Sequence, residues 1–428
     1  MNRIASCANR ILILLFLLLI LLPGLFAHRE KDRVSDMENR YYANVPSLFL
    51  EDDDDAAGDT VRTGTDSGDT SAKGSGTSTD SAAAEAGDSL PVKRLNTNFN
   101  QDFDSWIQDN VRGRELAVIM NARLQYALFH RITKDDERAN EKNGDLFFVS
   151  DDMVSVYQFT NRMSEEQLRN YIDGLKRIRD DLAAQGISFY YMQCYMKESI
   201  YPEYYFDSVS RLGPESVGRQ AQTAAEQAGI PVIDIWSTLM RHKDEDRLYY
   251  KVLDPGHWNL KGAWLGYETM IRTFQEQDPD IPLADLSRYE IVRNHNKAEI
   301  YGMTYPVEED SDDYNLLHPA SVEEDIHEVY PELADTLHYK EHSHLFRNNQ
   351  VNNDKKILCI NDSYIRMYIK NQLAESFRET MSVDSMNIDL LPEIVRVYHP
   401  DIVVIETAEP DSAIGVDEGL VSAYAGHH

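Results

Sequence analysis

Between residues 146 and 406, short strand-like runs alternate with helical ones, and that alternation admits few folds. The apolar runs are 146–150, 187–193, 231–235, 356–360 and 402–406. Between the first two, Leu168, Tyr171, Ile172, Leu175, Ile178 and Leu182 recur every three or four residues, the spacing of an amphipathic helix. Ser164, followed by Glu165, Glu166 and Gln167, supplies a capping-box start for it. Further helices are predicted over about 215–228, 260–275 and 365–377, with an acidic, irregular stretch over about 307–353. Strands joined by crossover helices build an α/β domain, a mostly parallel sheet flanked by helices on both faces. Sites in such sheets form just beyond the carboxyl ends of the strands.

The N-terminus has a different character. Arg3 and Arg10 precede an apolar run over 11–27, the pattern of a signal anchor or signal peptide. Leu25-Phe26-Ala27 is a poor cleavage site, which favours a retained membrane anchor with the remaining chain extracytoplasmic over a secreted form. Residues 28–50 read as a juxtamembrane segment and 51–96 as an acidic Ser/Thr/Gly-rich linker too poor in apolar residues to fold. The folded, catalytic domain is placed at 97–420. A net charge of −31 over 428 residues excludes nucleic acid as a partner. Three cysteines, Cys7, Cys194 and Cys359, make no disulfide framework. Cys194 and Cys359 read as buried free thiols, and neither zinc spacing nor a cofactor motif is present.

Two motifs carry chemistry. Asp254-Pro255-Gly256-His257-Trp258-Asn259 puts a carboxylate three residues from an imidazole across a tight turn, on a loop leaving a strand. A carboxylate so placed can hold the ring's tautomer and stabilise its protonated form. The second motif is Asn361-Asp362-Ser363-Tyr364, where the 356–360 strand gives way to a helix. A serine at such a junction exposes its hydroxyl at the sheet edge, beside N–H groups able to meet an oxyanion. Each motif alone is also what a turn or a helix cap requires; together they supply the parts of a serine triad.

The segment from about 97 to 410 resembles the alginate O-acetyltransferases of the AlgX/AlgJ type and their DHHW-motif relatives, within the SGNH-hydrolase-like superfamily. Six segments carry the likeness in order. These are 98–129 with Phe103, Trp106, Arg114 and Leu124; Leu146-Phe147-Phe148-Val149-Ser150; Lys197 to Tyr204; Tyr250 to Ala263; Lys356 to Ser363; and Pro400 to Glu406. The resemblance implies Ser363 as nucleophile, His257 as general base and Asp254 as its orienting acid. Lys197, Trp258, Asn361 and Tyr364 are the candidates for contact with substrate. Two positions depart from the family. Asp254 stands three residues before the histidine instead of two, and Asn361 replaces a glycine. The implied activity is transfer of acetyl groups, through an acetyl-serine, to hydroxyls of an extracellular or cell-wall polysaccharide. A membrane-bound O-acyltransferase is the implied acetyl source. The residues alone do not separate transfer from deacetylation by water, nor from a polysaccharide-binding protein whose triad has decayed.

Overall fold

The computed structural model describes residues 34–35, 40–41, 43–50, 94–96, 98–110, 114–129, 133–134, 137–140, 142–300 and 303–409. The expected anchor at 1–27, Cys7, and the 51–96 linker up to residue 93 lie outside them. Two compact units are distinguished: one runs to Phe129 and includes 301–303, and the other holds the remainder. In the first, Arg94–Leu95 pairs antiparallel with Phe49–Leu50, so ordered backbone begins before residue 97. The Asn96 side chain joins this pair to the next element. Its Nδ2 donates to Ser47 O at 3.1 Å and to Asp102 Oδ2 at 2.9 Å, just inside helix Phe99–Asn110. Helix Arg114–Phe129 follows. Among the described residues no helix is long and apolar enough to cross a membrane.

The second unit is built on a seven-stranded sheet. Its strands in chain order are β1 Ser188–Cys194, β2 Val232–Ile233, β3 Ser321–Glu324, β4 His344–Asn348, β5 Lys356–Asn361, β6 Glu379–Asp384 and β7 Ile402–Ala408. They lie in the spatial order β3-β4-β6-β5-β7-β1-β2. The run from β6 to β2 is parallel throughout, and β4 and β3 add an antiparallel edge. The expected α/β architecture, mostly parallel and covered on both faces, is present.

Strand alternation explains both layers. Tyr190, Met192, Cys194, Ile357, Cys359, Ile402 and Val404 face one layer, packing with helices α3 Ile235–His242, α4 Leu260–Gln275, α5 Ser363–Tyr368 and α6 Lys370–Ser376. The intervening Phe189, Tyr191, Leu358, Ile360, Val403 and Ile405 face the other. There they meet α1 Glu165–Ala184, α2 Val217–Gln227 and α7 Leu391–Tyr398. The Ser164–Gln167 capping box starts α1 as expected. Asn259 starts α4 by accepting from the Lys261 and Gly262 N–H groups.

Several expectations are corrected. The 146–150 run forms only Leu146–Phe148, and it lies outside the main sheet, in a small antiparallel one with Glu137–Ala139 and Thr133–Lys134. The 231–235 strand shrinks to two residues because Asp234 turns the chain into α3, its side chain accepting from Ser237 N. One helix over 365–377 becomes two. Ile369, buried against α4, takes a φ of −118° and divides them. The "irregular" 307–353 stretch holds β3, β4 and the end of a long hairpin, Tyr289–Ile300 with Met303–Leu316. The strand β6 has no counterpart in the sequence reading.

Candidate active site

Strand β5 runs between β6 and β7 and delivers Ser363 to the first turn of α5, beyond the sheet's carboxyl edge. Asp362 is the helix N-cap, its carboxyl accepting from Ser363 N. The Asp362 N–H donates to Glu406 Oε2, at 2.9 Å, from neighbouring β7. Burial, then the nearby Asp362 charge, pushes the Glu406 carboxyl well above its ordinary value. These two N–H groups are therefore engaged, which narrows the oxyanion donors expected at the helix start.

His257 arrives from the other side. No strand precedes its loop; a lone antiparallel bridge between Tyr249 and Trp258 closes it. Within the loop Asp254 Oδ1 accepts from Gly256 N at 2.9 Å and His257 N at 2.8 Å, so the carboxylate makes the turn. The same carboxylate reaches the ring, with His257 Nδ1 2.9 Å from Oδ2 and 3.0 Å from Oδ1. On the far side His257 Nε2 lies 2.7 Å from Ser363 Oγ. Gly256 is closely approached: a Cβ there would sit 2.7 Å from Met196 Cε and 3.1 Å from the Phe148 ring, so a side chain would have to displace the end of the methionine.

Burial opposes the charge on Asp254. It is outweighed by the hydrogen bond and charge of His257, with the His257 and Gly256 N–H groups, and the carboxyl is held well below its usual range. Tyr368 OH donates to Asp254 Oδ2 at 3.2 Å. Burial first, and then the Asp254 charge, pushes the Tyr368 hydroxyl up. The imidazole packs against both tyrosines of α5, with ring centroids 4.8 Å from Tyr364 and 5.6 Å from Tyr368. Hydroxyl, imidazole and carboxylate in one hydrogen-bonded row can take a proton from the hydroxyl as it attacks an acyl carbon.

The four residues expected to touch substrate are all buried behind this row. Lys197 is wholly buried, its Nζ donating to Leu146 O and, at 3.0 Å, to Tyr250 O above the Phe147 ring. Trp258 is core, edge-on to Tyr364 and so close to α4 that a Cβ on Gly266 would stand 2.7 Å from its ring. Asn361 is buried towards β6, where Ser382 Oγ donates to its Oδ1 at 2.7 Å. Tyr364 is buried with its hydroxyl 2.7 Å from Tyr195 O and 3.2 Å from Gly256 O, bracing the His257 loop. Sequence reasoning missed Tyr368. Its signal was the four-residue spacing from Tyr364, which puts both on one helix face. Cys194 and Cys359 are buried free thiols, and burial pushes both up.

Residues 146–322 match the family described as the SGNH hydrolase-like domain of the acetyltransferase AlgX, which bears out the expected resemblance over this segment. No curated protein matches the chain. Among solved structures it is similar to Bacillus cereus PatB1 carrying a sulfonyl adduct, at 17% identity and a TM-score of 0.48 over 68% of this chain and 99% of that one. A DHHW family protein from Eubacterium siraeum is similar at 12% identity and a TM-score of 0.46, over 68% and 96%. The O-acetyltransferase domain of Pseudomonas putida AlgJ is similar at 14% identity and a TM-score of 0.37, over 65% and 93%.

Proposed function

We propose that this protein, whose residues 146–322 match the SGNH hydrolase-like domain family of the acetyltransferase AlgX, is a serine-dependent O-acetyltransferase acting on an extracellular or cell-wall polysaccharide. The observation that carries the reading is the unbroken row from Asp254 through His257 to Ser363, with contacts of 2.9 and 2.7 Å. In the first half-reaction Ser363 Oγ attacks the acetyl carbonyl of the donor while His257 Nε2 takes its proton. The donor's acyl bond breaks, His257 returns the proton to the leaving group, and acetyl-serine remains. In the second, a sugar hydroxyl gives its proton to His257 and attacks the acetyl-serine. The sugar ester forms, and Ser363 regains the proton. Asp254 keeps Nδ1 protonated, so that Nε2 is the basic nitrogen at the start of each half.

The apolar 11–27 segment and the linker after it suit an extracytoplasmic domain tethered beside a membrane-bound O-acyltransferase that supplies acetyl groups. The purified protein should turn over a chromogenic acetyl ester. Ser363→Ala should lower that turnover by about 10³-fold or more, and the acetylated wild-type peptide should carry its added mass on Ser363. With an acceptor oligosaccharide, mass spectrometry should detect acetylated sugar. Release of acetate alone would make the protein an esterase. Absence of both turnover and serine labelling would end the acyl-transfer reading.

A further inference from the structure

The loop that presents Asp254 and His257 has no ladder of its own, so its backbone groups must find partners elsewhere. Three successive N–H groups find the same one. Lys251 N donates to Glu309 Oε1 at 2.8 Å, and Val252 N and Leu253 N donate to Glu309 Oε2 at 3.0 and 3.3 Å. Glu309 comes from hairpin strand Met303–Leu316, on the face it shares with Ser311, where both are buried. The opposite face carries Glu308, Asp310 and Asp312, which pair with Lys297, His295, Arg293 and Lys261. Strand alternation thus turns Glu309 to the loop and leaves Glu308 and Asp310 exposed on the opposite face. A second grip acts from the other side: Lys197 Nζ donates to Tyr250 O, and Leu146 N donates to Lys251 O at 2.8 Å. An anion and a cation therefore hold the backbone just before Asp254.

We infer that Glu309 is a positioning residue for the reaction proposed above, and the inference rests on that reading. Its carboxylate sets the height of the 251–253 backbone, from which Asp254 meets Nδ1 and His257 Nε2 meets Ser363. Glutamine cannot replace it, because one acceptor becomes an NH₂ group facing N–H donors.

The test compares Glu309→Gln and Glu309→Ala with Asp310→Asn on the outward face, using the acetyl ester assay, thermal melts and a pH profile. Both Glu309 variants should lose kcat by about 10- to 100-fold with KM changed less than about 2-fold, as expected when reacting groups are misplaced. The acid limb of kcat/KM should also move to lower pH, because a loosened Asp254 stabilises the imidazolium less. Asp310→Asn should leave kcat and the profile unchanged. An unchanged kcat per folded molecule and an unchanged pH profile would overturn the inference, as would failure of both Glu309 variants to fold at the assay temperature. A wild-type protein without turnover would instead remove the acyl-transfer reading itself.

Discussion

Ser363 and His257 meet at 2.7 Å, yet the segments that deliver them are built differently. Ser363 follows a six-residue strand laddered on both sides, whose Cys359 pairs with Ser382 of β6 and Val404 of β7. Its backbone position is shared over many hydrogen bonds, so no single side chain decides it. His257 rides a loop with one bridge at its mouth, one backbone bond from Leu146 N to Lys251 O, and otherwise side chains: Arg247 to Tyr249 O, Lys197 to Tyr250 O, Glu309 to three N–H groups, and Asp254 to the turn. A ladder forms cooperatively, whereas such a loop is only as fixed as each buried polar partner makes it. The base-bearing side should therefore be sensitive to single substitutions and the nucleophile-bearing side tolerant of them.

Among substitutions that leave the nucleophile in place, the largest effect should come from Asp254→Asn. An asparagine can still accept the Gly256 and His257 N–H groups through its one carbonyl oxygen, so the turn survives. It cannot hold Nδ1 protonated, and kcat should fall by about 10²- to 10⁴-fold. A pH consequence follows from the depressed carboxyl. Its stabilising contribution is present above its ordinary value of 3.8 and is lost as pH falls below that value. Melting temperatures measured between pH 6 and 3 should fall more steeply for the wild type than for Asp254→Asn. Parallel melting curves would mean that the ion pair adds nothing to the loop. A smaller loss is expected for Tyr368→Phe, which removes the 3.2 Å bond to Asp254 and keeps the ring against His257. A neutral hydrogen bond to a partly buried carboxylate is worth a factor of about 2 to 10 in kcat, measured on the acetyl ester. A loss as large as that of Asp254→Asn would show that the tyrosine orients the carboxylate outright.

The same contrast explains what could be read in the sequence. Helix α4 was legible to its ends because Asn259 caps it and Gly262, Ala263, Gly266, Tyr267, Met270 and Ile271 mark a buried face. Strand β5 and the serine beyond it were legible for the same reason: Ile357, Leu358, Cys359 and Ile360 are apolar on both faces. Strand β6 was not. Its Glu379, Thr380, Ser382 and Asp384 look like loop residues, yet all are buried, with Glu379 beside Lys356 and Arg347, Ser382 on Asn361 and Asp384 on Arg366. Hydropathy reports transfer from water, not the presence of a partner. The acidic 307–353 stretch hid Glu309 in the same way, since a carboxylate that collects N–H groups looks like any solvated one. Lys197 was visible as a motif residue, but whether it faces a ligand or a carbonyl is settled only by the fold.

The smallest effect should come from Glu406→Gln, which tests the tolerant side. Glu406 is fully buried and accepts the Asp362 N–H one residue before the nucleophile. Its carboxyl is pushed above its ordinary 4.5, so the unfolded chain ionises first and the native state loses relative stability as pH rises through that value. Glutamine keeps an acceptor oxygen for the Asp362 N–H and cannot ionise. Turnover should stay within about 2- to 3-fold of wild type, the scale of one conserved neutral hydrogen bond. The melting temperature of the variant, relative to wild type, should rise between pH 4.5 and 8. Glu406→Leu removes the carboxyl acceptor of the Asp362 N–H, at a cost of about 1–3 kcal/mol in stability. With β5 still laddered on both sides, that cost should appear in the melt more than in kcat. If Glu406→Gln instead lowers kcat as far as Asp254→Asn does, the strand does not fix Ser363. The two sides of the site would then depend equally on single buried side chains.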